Sequence, residues 1–168
     1  GYIAFAFYRR HRERLAGLVL AATRAGADSE EGKANRDRLA QQALLAGPSA
    51  VATAMLPKML SPKTYAANPD LVNHVQAIME GTSAEGLAAA LLGMKTRPDS
   101  TPTLAQISVP TLILHGLDDQ LIPPAEAEAM HAAIKNSQLN SIPNTGHLLN
   151  LEQPDQFTRT LFDFLRAL

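Results

Sequence analysis

Two short segments of the chain hold side chains that could do acid–base chemistry together. After the apolar run Thr111-Leu112-Ile113-Leu114 the sequence reads His115-Gly116-Leu117-Asp118-Asp119-Gln120-Leu121-Ile122-Pro123. After Gln138 to Ile142 it reads Pro143-Asn144-Thr145-Gly146-His147. If both runs are parallel strands, the two loops leave the sheet at its carboxyl edge, where ligands bind in folds of this kind. One loop offers a carboxylate and the other an imidazole. A carboxylate beside a histidine fixes the ring's tautomer and stabilises the imidazolium formed when the ring takes a proton. Such a pair serves to activate a nucleophilic hydroxyl. A thiolate nucleophile is excluded because the chain has no cysteine, which also removes disulfides and cysteine-ligated zinc.

The other histidines read differently. His11 lies in a charged helix tail, and His74 and His131 lie in helical patterns as surface or packing residues. His115 closes a strand near the active edge and reads as structural. No histidines and carboxylates converge at metal-ligand spacing, so no metal and no cofactor is expected.

The elements that must position these loops follow from periodicity. Residues 2–14 read as a helix whose first two turns, Tyr2 to Phe7, are apolar almost all round and should be buried. Its tail, with Arg9, Arg10, Arg12 and Arg14 interrupted by Glu13, reads as a solvated helix end. Leu18 to Ala21 suit a strand buried on both faces. From about 24 to 107 helical patterns alternate with Pro and Gly breaks, giving four segments: Ser29 to Leu45, Pro48 to Leu60, Pro69 to Met79 and Ser83 to Lys95. Ser29 and Asn68 are expected caps, and Pro57 should kink or end its helix. Ser49 and Ser83 also read as caps. Pro123 and Pro124 open a helix through Ile134. Pro154 opens a last one, with Phe157, Leu161, Phe164, Leu165 and Leu168 on one face. Strands separated by helices imply parallel pairing with right-handed crossovers.

With the acid preceding the histidine, these segments resemble the α/β-hydrolase superfamily. VPTLILHGLDDQLIPP is similar to its acid-bearing strand and turn. IPNTGHLLNLEQPDQF is similar to its histidine loop and last helix. GYIAFAFYRRHRERLAGLVLAATRA is similar to the helix and strand after its nucleophile. The resemblance implies the C-terminal portion of an α/β-hydrolase fold, with three parallel strands, flanking helices and a helical cap insertion at about 24–107. It implies Asp119 as the catalytic acid, three residues after Gly116, with Asp118 a turn or solvated carboxylate. It implies His147 as the general base.

The family's nucleophile sits in G-x-S-x-G on a sharp strand-to-helix turn. Gly1-Tyr2-Ile3-Ala4 resembles the start of the helix after that turn, so the serine is expected just upstream of Gly1. Ser29, Ser49, Ser61, Ser83, Ser100, Ser108, Ser137 and Ser141 all lie outside such a motif. Related folds use an aspartate at this turn for dehalogenation or epoxide opening. The expected activity is hydrolysis of carboxylic esters or lactones, with a small-molecule substrate. The chain by itself is expected to be inactive, a truncated fragment that pairs with an N-terminal half or self-associates through an open sheet edge. The other reading is a non-catalytic binding module that keeps the cap pocket. Met55, Leu56, Met59, Leu60, Met79, Leu91, Leu92 and Met94 suit an apolar pocket for an acyl group. TRAGADSEEGKANR resembles the cap entry of bacterial carboxylesterases and enol-lactonase-like hydrolases, except that Ala22 stands where an aspartate is frequent.

Composition sets the outer bounds. The chain has 168 residues, 46% apolar and 18% charged, which fits one globular domain with a real core. Net charge is −1, which argues against nucleic acid as a partner. No apolar run approaches the ~20 residues needed to cross a bilayer, and a cytoplasmic location is expected.

Overall fold

The computed structural model describes residues 1–168. Its sheet has three parallel strands: β1 (Leu18–Ala21), β2 (Thr111–Gly116) and β3 (Ser137–Ile142), in the order β1-β2-β3. Leu20 aligns with Ile113, and Ile113 with Leu139. The central strand β2 is buried along its whole length. Its side chains alternate. Ile113 joins Leu18, Leu20, Phe5, Tyr8, Met130 and Ile134 on one face, while Leu112 and Leu114 join Ile142, Leu149 and Phe164 on the other. Helices α1 (Tyr2–His11) and α8 (Pro124–Ala133) cover the first face, and α10 (Pro154–Arg166) the second.

Between β1 and β2 lie six helices: α2 (Glu30–Ala46), α3 (Pro48–Met59), α4 (Pro62–Ala67), α5 (Pro69–Glu80), α6 (Ala84–Lys95) and α7 (Thr101–Leu104). The four long ones match the four helical segments read from periodicity. Ser29, Ser61, Asn68 and Ser83 each accept a hydrogen bond from the third residue onward and so cap α2, α4, α5 and α6. Ser49 is not a cap, because Gly47 holds that position. Its hydroxyl instead donates to Glu80 across the helix pair. Pro57 stands in the last turn of α3, which stops two residues later. This insertion has cores of its own, one around Leu39, Ala43, Val51 and Leu91, another around Leu56, Leu60 and Val75.

Two burial expectations change. The start of α1 is not buried all round: Phe5 and Tyr8 are enclosed, but Ile3 is 85% exposed. Residues three apart share a helix face, and the sheet covers only the face of Phe5 and Tyr8. Strand β1 is buried at Leu18 and Leu20 but only half-buried at Val19 and Ala21, because it is an outer strand. Leu165 and Leu168 of the last helical segment are likewise exposed.

Candidate active site

Asp119 sits in the turn that follows β2. Its Oδ1 accepts the backbone N–H groups of Leu121 (2.8 Å) and Ile122 (3.0 Å). That arrangement commits the carboxylate's other oxygen to one direction. Oδ2 accepts a 2.8 Å hydrogen bond from His147 Nδ1. A carboxylate only accepts, so Nδ1 carries the proton and the neutral ring keeps its lone pair on Nε2. Nε2 has no partner in the protein, and His147 lines a cavity of about 620 Å³. Burial pushes the Asp119 carboxyl upward. The hydrogen bond and charge of His147 and the two N–H groups outweigh it and hold the group below its ordinary range. Asp118 is exposed, and its N–H donates to Thr145 O (2.9 Å).

Glycine makes the approach of the two loops possible. A Cβ on Gly116 would collide with the carbonyl oxygens of Thr145 and Gly146, so the end of β2 can pass under the histidine loop only as glycine. A Cβ on Gly146 would in turn strike the backbone of Leu60 and Ser61. Asn144 turns the loop at φ 53°, a left-handed conformation that asparagine tolerates. Ala22, just past β1 and on the cavity wall, holds φ 44° without that tolerance.

His115 is buried beside the pair. Its Nε2 donates to Ile122 O (2.9 Å) and lies 3.8 Å from Asp119 Oδ2. It thus braces the turn that carries Asp119 while His147 takes the near position. His11, His74 and His131 are exposed and distant in role; His131 Nδ1 pairs with Ser137 Oγ. No group of three histidine, aspartate or glutamate side chains gathers where it could hold a metal ion. No helix is long and apolar enough to cross a membrane.

The cavity runs from His147 to the insertion. Met55, Met59, Met79, Leu91 and Met94 line it, as do Gly1, Tyr2, Thr23, Arg24, Asp28 and Arg36. Leu56 and Leu60 are instead buried in the insertion's core, and Leu92 is exposed. No serine lines the cavity.

Three contributors were not legible beforehand. Glu152, in the short helix α9 (Leu149–Glu152), accepts from Gly146 N (2.8 Å) and Ser61 N (2.9 Å), tying the histidine loop to the insertion. Gln120, next to Asp119, donates to the carbonyls of Pro57 (3.2 Å) and Leu60 (3.3 Å), which the end of α3 leaves without helical partners. Asp28 gathers Arg24, Arg36 and Arg97. The only advance signal was a lone carboxylate after the leucines Leu148, Leu149 and Leu151 for Glu152, and the Arg/Asp spacing of 24–36 for the last.

Comparison with known proteins identifies the fold that carries this strand-end acid and histidine. A sequence model of the alpha/beta hydrolase fold matches residues 1–154, and the chain belongs to that family. A thermophilic esterase from Thermogutta terrifontis superposes with a TM-score of 0.95 at 43% identity, over 99% of this chain and 61% of that one. The enol-lactonase of Burkholderia xenovorans superposes with a TM-score of 0.87 at 28% identity, over 97% and 61%. In sequence, 3-oxoadipate enol-lactonase 1 of Acinetobacter baylyi is 31% identical over 60% of this chain and 37% of its own length. The chain therefore spans 61% of each of those two structures and 37% of the curated relative.

Proposed function

We propose that residues 1–168 carry the acid and the base of a serine-type hydrolase of carboxylic esters or lactones. The observation that carries this reading is the 2.8 Å bond from His147 Nδ1 to Asp119 Oδ2, with Nε2 unpartnered on a cavity wall. His147 takes a proton from a serine hydroxyl as its oxygen attacks the ester carbonyl. The imidazolium, stabilised by Asp119, then protonates the departing alkoxide. Water, activated by the same ring, releases the acyl group. No step calls for a cofactor.

The serine in this reading lies just upstream of Gly1, in a G-x-S-x-G turn that ends at or just before Gly1. Support comes from Gly1 itself, where a Cβ would collide with Thr23 Oγ1. The last glycine of such a turn is there for close approach of helix to strand. Gly1 also lines the cavity with His147. In the same reading the upstream segment supplies a strand beside β1, whose pairing is with β2 alone, and residues 24–107 act as a cap over the pocket.

The test is hydrolysis of a p-nitrophenyl ester by residues 1–168 and by the protein extended through its upstream segment. The extended protein should turn the ester over, residues 1–168 should not, and His147→Ala should lower the activity by about 10⁶-fold. Turnover by residues 1–168 that vanishes in His147→Ala would place the nucleophile inside this chain and contradict the reading.

A further inference from the structure

The cavity that His147 lines also presents three cationic residues, Arg24, Arg36 and Lys58, against a single lining carboxylate, Asp28. Asp28 cannot neutralise them. Its side chain is 2% exposed and both oxygens are taken, Oδ1 by Arg24 (2.6 Å) and Arg97 (3.0 Å), Oδ2 by Arg36 (3.1 Å) and Arg97 (2.9 Å). Three guanidinium groups on one carboxylate leave two positive charges in excess, and Lys58 adds a third on the same wall. Arg97 is enclosed and stacked on Tyr2, so it is committed to structure. Arg36 is not. It bonds Asp28 through Nε alone, its Nη1 and Nη2 have no protein partner, and it stays partly open to the cavity. Arg24 spends one Nη on Asp28 and is equally open.

Unneutralised charge in a largely apolar recess focuses its field on whatever enters. A planar guanidinium with both Nη groups free matches a carboxylate. We propose that this site selects esters or lactones bearing a second, carboxylate group, which Arg36 holds with Arg24 beside it while the scissile carbonyl lies at His147. The methionines Met55, Met59 and Met94 then enclose the carbon chain between the two ends. This assignment rests on the hydrolase reading above for its reaction, but not for its binding.

The experiment compares mono-p-nitrophenyl adipate with p-nitrophenyl hexanoate, which differ only at the far end of the acyl chain. The protein extended through its upstream segment should favour the adipate ester by about tenfold in kcat/KM, as a charge-assisted pair allows. Arg36→Gln should lower that ratio by about tenfold, and Arg36→Lys should keep part of it. The ratio should fall as salt is raised. Equal or poorer turnover of the adipate ester, or a ratio that Arg36→Gln leaves unmoved, would overturn the proposal. If Arg36→Gln does not fold, the salt dependence decides: a ratio insensitive to salt overturns it. If neither ester is turned over, the hydrolase reading fails, and calorimetric titration with adipate decides the anion site alone. Saturable binding lost in Arg36→Gln supports it; no saturable binding contradicts it.

Discussion

Asp28 and Asp119 are both buried carboxylates at the carboxyl edge of the sheet, and their surroundings differ in kind. Asp28 is held by three side chains that are permanently charged. Asp119 is held by two backbone N–H groups and one imidazole, the one side chain whose charge changes near neutral pH. The first arrangement has a single protonation state across ordinary conditions. It joins the two ends of the insertion, since Arg97 also donates to Gly26 O and Ser100 N to Ala25 O. The second has a partner that can gain and lose a proton without breaking the bond. Burial alone does not mark a carboxylate for chemistry; the titratability of what it binds does.

Substitutions can break each half of that contrast. The largest effect should be on activity: Asp119→Asn presents an amide to His147 and favours the wrong tautomer, lowering kcat by about 10⁴. Steady-state ester kinetics in the extended protein would check it. Asp28→Asn should act on stability instead. It strands three guanidinium groups, one of them 7% exposed, and should lower unfolding free energy by about 3–5 kcal/mol, read from urea denaturation.

Acid sharpens the comparison without mutation. Burial pushes Asp28 upward, but Arg97 and Arg36 pull harder and leave it at about 2, against an ordinary 3.8. The unfolded chain therefore takes up its proton first as pH falls. The stabilisation is complete above about pH 5 and is lost towards pH 2, on the order of 2 kcal/mol. Asp119 is also lowered and loses stabilisation in the same direction. Denaturation midpoints measured from pH 5 to 2 should fall in wild type and flatten in Asp28→Asn.

A smaller effect concerns the link between the two regions. Glu152→Ala removes two acceptors, on Gly146 N and Ser61 N, and should cost about 1–3 kcal/mol. Hydrogen exchange at those two amides would report it. The smallest is Ala22→Gly, which relieves the left-handed backbone at φ 44° and should raise stability by up to ~1 kcal/mol, read as a small rise in Tm.

Periodicity carried most of the fold. The long helices stood out by their spacing and their Pro, Gly and cap boundaries, and β1 and β2 as short apolar runs that suit a strand inside a parallel sheet. Helices α4, α7 and α9 are too short to show a period, and escaped. Asp119 and His147 could be placed at one sheet edge in advance because each lies in the loop that follows a strand. The Asp28 cluster and the Glu152 tie were not, since Asp28 meets Arg97 from 69 residues away and Glu152 meets Ser61 from 91. Exposure of Ile3 was equally hidden, because composition shows that a helix is apolar but not which face finds a neighbour.

Active-site labelling tests the central claim most directly. The protein extended through its upstream segment would be treated with a fluorophosphonate and the adduct located by peptide mass spectrometry. We predict one modified serine, in a G-x-S-x-G turn ending at or just before Gly1, with labelling slowed strongly in His147→Ala. An adduct on a residue between 1 and 168, or a rate indifferent to His147, would contradict the account.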